Sequence, residues 1–193
     1  MEEELEHIEA YIRIQKLRYG EEAFSFEATT DGDIGEWKVP SLLLQTLVEN
    51  SVVHGVSLDR KSEISLYLTN ETYEDGEYLY ICISDTGNGF SKEALDAIEN
   101  DTPIIYHGRH HVGISNIKRR LALMYGERAS ITCSNMDENY GAVVEVRLPK
   151  TDSSDKKKGG NPEKHRGFPP FCVKKLQELP EPDGSGKLLQ RGR

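Results

Sequence analysis

Apolar residues recur at helical spacing over four stretches of the chain and alternate with polar ones over five others. Between Glu2 and Tyr19, Leu5, Ile8 and Ile12 with Tyr11, Ile14 and Leu17 form a wide apolar stripe among charges, and Gly20 ends it, which predicts an amphipathic helix. The stretch Val39 to Gly55 is denser. Leu42, Leu43, Leu44, Leu47, Val48, Ser51 and Val52 give a core side, while Thr46, Glu49, Asn50 and His54 return at three- or four-residue steps as a polar ridge. Pro40 suits the first turn of this helix and Gly55 its end. A short helix capped by Ser91, with Glu93 in its first turn, is predicted to run to Glu99. The last helix covers Ile114 to Tyr125, with Ile117, Leu121 and Met124 inward, Lys118, Arg119 and Arg120 toward solvent, and Gly126 closing it. The alternating runs are Ala23 to Thr29, Glu63 to Asn70, Glu77 to Ser84, Ser130 to Asn135 and Ala142 to Leu148. Asp31-Gly32-Asp33 turns the chain after the first; the second and third pair as an antiparallel hairpin across the acidic connection Glu71 to Gly76; Asp137 to Gly141 joins the last two.

Charge divides the chain in two. Residues 151–193 hold 10 Lys+Arg against 6 Asp+Glu, which leaves 14 against 27 for residues 1–150, or net +4 after net −13. An acidic body argues against general nucleic-acid binding. From Lys150 onward the composition turns Lys-, Gly- and Pro-rich without a sustained period, too poor in apolar surface to offset the entropy of ordering, so 150–193 is expected to form a disordered tail after a globular part ending at Pro149. No apolar run approaches the roughly 18 residues of a membrane span, and the Met1-Glu2-Glu3-Glu4 start is unlike a signal peptide, so a cytoplasmic, reduced setting is expected. Cys82, Cys133 and Cys172 are too scattered for a disulfide framework or a zinc site; the first two read as small buried strand residues.

Three stretches carry chemistry that packing alone does not call for. The carboxylate of Glu49 and the amide of Asn50 stand side by side on a helix whose other faces are apolar, where a polar group needs either a partner or a task. Asp85-Thr86-Gly87-Asn88-Gly89-Phe90 follows a strand-like run; alone it reads as an ordinary turn or as a place where glycines let a ligand approach the backbone. Gly113-Ile114-Ser115-Asn116-Ile117 opens a helix, where free N–H groups and the helix dipole favour an anion. Between the last two lies Asn100 to Val112, with Pro103, Gly108 and the basic group His107, Arg109, His110 and His111. It reads as a surface loop, a metal cluster or a flap over a ligand, and no Cys or Glu is spaced to complete a zinc site.

The order of these stretches resembles the GHKL-type ATPases, the superfamily of gyrase, MutL, the large heat-shock chaperone and histidine kinases. Within it, Leu43-Leu44-Gln45-Thr46-Leu47-Val48-Glu49-Asn50 through His54-Gly55 is similar to the helix of LytS/YesM-like sensor histidine kinases. The likeness runs from about Glu4 to Pro149. It implies an α/β (α+β) fold, a two-layer sandwich of a mixed β-sheet with helices on one face, and an ATP-binding catalytic domain over residues 21–149 preceded by a connector helix at 1–20. On that resemblance Asp85 accepts from the adenine amine, with Gly87 and Gly89 shaping the pocket; Asn50 holds Mg²⁺; Glu49 polarises the nucleophile; His54 contacts nucleotide or ends the helix; and Gly113, Ser115 and Asn116 hold phosphate. Arg109 or Lys118 would neutralise the triphosphate. Two departures stand out: Thr46 occupies a position where many relatives have Asn, and His111 stands where a first glycine is usual. Asn100 to Val112 corresponds to the ATP lid. The implied reaction is transfer of the γ-phosphoryl of Mg-ATP to a histidine on a dimerisation and acceptor helix, for relay to a response regulator, in a dimeric parent kinase anchored at the inner face of the membrane. His7 lacks an acceptor motif. Two other classes share these residues: an anti-sigma-type serine/threonine kinase, and a non-catalytic nucleotide-dependent interaction module.

Overall fold

The computed structural model describes residues 1–57, 59–102, 105–106, 109–110, 113–137 and 140–150, the two short pairs by their backbone only. Strand β1 (Phe24–Asp31) pairs in parallel with β2 (Ser62–Tyr73), β2 runs antiparallel to β3 (Gly76–Asp85), and β7 (Tyr140–Pro149) and β6 (Ser130–Asp137) complete a mixed sheet in the order β1-β2-β3-β7-β6. The period of two sorts side chains between the faces. Phe24, Ile64, Leu66, Leu68, Leu79, Ile81, Ile83, Val144, Val146 and Leu148 fall on one face, in a single core with Ile8 and Ile12 of α1 (Glu2–Tyr19), Leu43, Leu44, Leu47, Val48 and Val52 of α2 (Leu43–Gly55), Ile98 of α3 (Lys92–Glu99), and Ile114, Ile117 and Leu121 of α4 (Gly113–Tyr125). The expected two-layer arrangement, helices on one face, is thereby met. Each of the α2 side chains is essentially sealed from water, and burying one such side chain contributes about 1.5–3 kcal/mol, so α2 is the helix that ties the layers together. The opposite face holds a second, smaller cluster of Tyr67, Tyr80, Cys82 and Val143, with the Arg147 guanidinium 4.7 Å from the Tyr80 ring centre and paired with Glu71.

Several boundaries differ from the sequence expectation, each for a local reason. The helix expected from Val39 begins only at Leu43, and Pro40 lies outside it, its carbonyl accepting from Leu43 N. Leu42 takes a left-handed conformation (φ 62°) that breaks the helix, and its side chain is half exposed rather than in the core. Helix α1 buries a narrower stripe than its apolar count suggests: Ile14 and Leu17 are exposed. Most of the acidic connection Glu71 to Gly76 is strand, since β2 continues to Tyr73 and β3 starts at Gly76, leaving Glu74 and Asp75 as a two-residue turn. The 100–112 interval, aperiodic in sequence, contains a pair of two-residue strands, β4 (Ile105–Tyr106) and β5 (Arg109–His110). Strand β7 begins at Tyr140, inside the stretch read as a turn. In α4 it is Ile114 that joins Ile117 and Leu121 in the core, while Met124 is exposed. Lys118 and Arg120, read as solvated, instead donate to backbone carbonyls, Lys118 Nζ to Ile98 and Glu99 at the end of α3 and Arg120 Nη1 to Ser41.

Other expectations are met. Ser91 Oγ accepts from Ala94 N at 3.2 Å as the cap of α3. Gly126 follows α4 at φ 62°, a conformation that favours glycine. Cys82 and Cys133 lie in strands as free thiols, Cys82 buried as expected and Cys133 only partly so, and desolvation pushes the Cys133 pKa up to about 12, which leaves it unreactive. Among the described residues no helix is long and apolar enough to cross a membrane. Of the expected tail 150–193, Lys150 is described, its N donating to Glu77 O at 2.8 Å, while residues 151–193, with His107 and His111, lie outside the described residues.

Candidate nucleotide site

Asp85 closes β3 on the helix side of the sheet and is only 3% exposed. Gly87 N donates to its Oδ1 at 3.0 Å and Ala142 N approaches the same atom at 3.5 Å, while the Ser51 hydroxyl of α2 also donates to the carboxylate. Burial outweighs these three donors and raises the Asp85 pKa to about 6. The carboxylate is held within a backbone that has no room for side chains. A Cβ on Gly55 would fall 2.6 Å from Asp85 Cγ, and one on Gly87 would collide with Gly55 Cα. Gly55 was read from sequence as a helix terminator. It is the last residue of α2, followed by an extended Val56, and what requires glycine there is the approach of Asp85.

Five residues before Gly55 along α2, and next to Ser51, Asn50 makes a second junction. Its Nδ2 donates to Thr46 O at 2.8 Å, which fixes the amide, and a Cβ on Gly113 would sit 2.8 Å from its Oδ1. The first residue of α4 is thus pressed against the Asn50 amide, and the helix N-terminus opens beside an oxygen donor. Ser115 is partly buried and Asn116 exposed in the same first turn. Glu49 accepts from Gln45 Nε2 at 2.7 Å; burial first, then the negative charge of Glu49, pushes the Tyr11 phenol of α1 up to about 12, so Tyr11 stands near that carboxylate. Thr46 turns its hydroxyl back onto Leu42 O. His54 is exposed one turn beyond Asn50 on the same row of the helix.

The loop after Asp85 is anchored on three sides. Thr86 bonds the backbone of Glu63 through both its N and its Oγ1, Arg60 Nη2 reaches Thr86 O, and Gly141 N donates to Gly87 O at 2.9 Å. Gly89 has φ 69°, as the glycine-rich turn required. Alpha-helix α2 therefore forms a common wall, with Asp85, Gly55 and Gly87 at one junction and Asn50 and Gly113 at the next. Lys118 is drawn away to the end of α3.

A family model described as "Histidine kinase-, DNA gyrase B-, and HSP90-like ATPase" matches residues 39–152, which include both junctions. The chain belongs to this ATPase family. Among curated relatives of the chain, the "Sensor protein LytS" of Streptococcus agalactiae is 30% identical over 163 residues, 83% of this chain and 26% of the relative. The "Sensor histidine kinase YpdA" of Escherichia coli is 32% identical over 131 residues, 66% of this chain and 21% of the relative. The chain thus spans about a quarter of the length of these proteins. In fold, the chain is similar to a nucleotide-free catalytic domain of histidine kinase ThkA, with a TM-score of 0.61 at 16% identity over 78% of this chain and 95% of that domain. Sequence reasoning missed three residues that hold these elements: Ser51, counted as apolar surface, which donates to Asp85; Glu4 of α1, which accepts from Leu42 N and Leu44 N; and Asn135 of β6, which bonds the backbone of Phe90. Only the position of Ser51, four residues before Gly55, offered a signal, since it puts both on the row that faces Asp85.

Proposed function

We propose that this chain is the ATP-binding catalytic domain of a sensor histidine kinase, which transfers the γ-phosphoryl of ATP to a histidine of a separate dimerisation and acceptor region, for relay to a response regulator. The observation that carries this reading is the buried, glycine-walled carboxylate of Asp85 one helical step from the Asn50–Gly113 junction. An acidic acceptor sealed in a low-dielectric pocket suits the exocyclic amine of adenine, and the nearby helix N-terminus suits phosphate. The glycine-lined junctions leave backbone, not side chains, beside both ends, and this fits a flat base and its phosphates. The oxygen donor Asn50 Oδ1 fits Mg²⁺, a hard cation that binds through one or two protein ligands and substrate phosphates. When bound, it would supply neutralising charge at the phosphates.

In this reading Asp85 and Ser51 select the base, and Gly113, Ser115 and Asn116 receive phosphate. Glu49, oriented by Gln45, accepts the proton or polarises the acceptor imidazole as the bond from γ-phosphorus to the β–γ bridging oxygen breaks, a bond to the imidazole nitrogen forms and ADP leaves. Relatives named a sensor protein and a sensor histidine kinase, and a solved complex of ThkA with the response regulator TrrA that shares the fold at 16% identity, support the relay partner. Calorimetric titration tests the base assignment. ADP is expected to bind in the presence of Mg²⁺ and GDP much more weakly; equal affinity for both would overturn the adenine pocket.

A further inference from the structure

We propose that Asn135, on β6, positions the nucleotide-facing loop Asp85–Phe90 and sets base affinity and selectivity; the inference rests on the adenine reading of Asp85. The first half of that loop is pinned by backbone bonds to Glu63 and Gly141 and by Arg60. The second half is gripped from the side by one amide. Phe90 N donates to Asn135 Oδ1 at 2.7 Å, and Asn135 Nδ2 donates to Phe90 O at 2.8 Å. The carboxamide thus satisfies both backbone groups of a single loop residue, as a neighbouring strand would in a ladder. It also closes on Gly89, where a Cβ would fall 2.7 Å from Oδ1, in the left-handed turn that redirects the chain toward α3. Because Gly87 and Gly89 are two residues apart, a shift of the Phe90 end alters the backbone facing the base, while Asp85, held by Gly87, Ala142 and Ser51, stays in place. Asn135 is a positioning residue; its amide is occupied by Phe90 and is not offered to the ligand.

The test compares the full chain with Asn135→Ala and Asp85→Asn, by calorimetric titration with MgADP and with MgGDP, thermal unfolding without ligand, and hydrogen exchange over 86–91. Asn135→Ala is expected to weaken ADP about tenfold, the scale of one or two lost hydrogen bonds. It should also reduce the ADP-to-GDP preference and speed exchange at Phe90. Asn135→Asp retains the acceptor for Phe90 N–H but sets a carboxylate against Phe90 O, so its loss should be larger. If the alanine chain does not fold, Asn135→Ser, which keeps one hydrogen-bonding group, is titrated in its place. A lower melting temperature with unchanged ADP affinity and unchanged ADP-to-GDP preference would reduce Asn135 to a structural residue and overturn the proposal. Full ADP affinity in Asp85→Asn would instead overturn the adenine reading and this inference with it, so the two failures are separable.

Discussion

Asp85 is a carboxylate on the core side of a sheet, and its raised pKa makes a prediction about stability as well as binding. In the unfolded chain it titrates near 4; in the folded protein burial moves it to about 6. The folded state therefore holds its proton more tightly, so the favourable contribution is complete below about pH 4 and is lost as pH rises through about 6. A two-unit shift amounts to about 3 kcal/mol above pH 6 at most. Asp85→Asn is thus expected to raise the ligand-free melting temperature at pH 7.5, with the gain fading below about pH 4, while weakening ADP by about 1.5–3 kcal/mol, the usual scale of a charged hydrogen bond. Melting curves from pH 4 to 8 alongside titrations check both halves; a variant less stable at pH 7.5 would mean the carboxylate is better solvated than its burial indicates. The neighbouring pair separates two other roles. Asn50→Ala is expected to abolish the Mg²⁺ dependence of nucleotide binding, whereas Glu49→Gln spares binding and lowers transfer to a supplied acceptor domain. Unaltered Mg²⁺ dependence in Asn50→Ala would leave its bond to Thr46 O as its whole task.

Helix α2 shows why some features were legible along the chain and others were not. Its core row, Leu43, Leu44, Leu47, Val48 and Val52, follows directly from 3.6-residue spacing, as does the exposure of His54. Its start does not, because the cap comes from another element. Glu4 of α1, itself buried, accepts from Leu42 N at 2.6 Å and Leu44 N at 3.2 Å, and no side chain local to α2 takes that place. Spacing placed the end of α2 at Gly55 but not the reason glycine stands there, which is set by Asp85 thirty residues away in sequence and touching in space. The long-range cap gives a prediction. Glu4→Ala leaves two N–H groups at a helix start unpaired and should destabilise the fold by about 1–3 kcal/mol, with faster exchange at Leu42 and Leu44; Glu4→Gln, which retains an acceptor oxygen, should lose less. Equal losses in both variants would show that charge, acting on the helix dipole, rather than hydrogen bonding, stabilises the start.

At the scale of the whole molecule, the order of elements could be read from their periods, while the single helical layer was implied by the family resemblance and agrees with one apolar face per element, which leaves few ways to bury them all. What periodicity could not supply was the fate of the cations. Lys118 was a candidate for the triphosphate, yet its Nζ closes α3 through Ile98 O and Glu99 O, and Arg120 is held by Ser41 O. Residues 1–150 meanwhile carry 27 Asp+Glu against 14 Lys+Arg. A body of that charge repels a polyanionic nucleotide over a Debye length, about 10 Å at 0.1 M salt. On the proposed reading, neutralisation at the phosphates falls to a divalent cation at the Asn50 oxygen, and the effect should be visible in the salt response. ATP without Mg²⁺, with EDTA present, is expected to bind at least tenfold more weakly than Mg-ATP at low ionic strength, and raising NaCl from about 20 to about 300 mM should recover part of the difference by screening the repulsion. Mg-ATP, with less net charge, should respond less to the same change. Titrations at the two salt concentrations, each with Mg²⁺ and with EDTA, make the comparison within one protein. If Mg²⁺-free ATP binds as tightly as Mg-ATP at low salt, or weakens as salt rises, a cationic side chain must reach the phosphates, and Arg109, on β5, becomes the residue to substitute next.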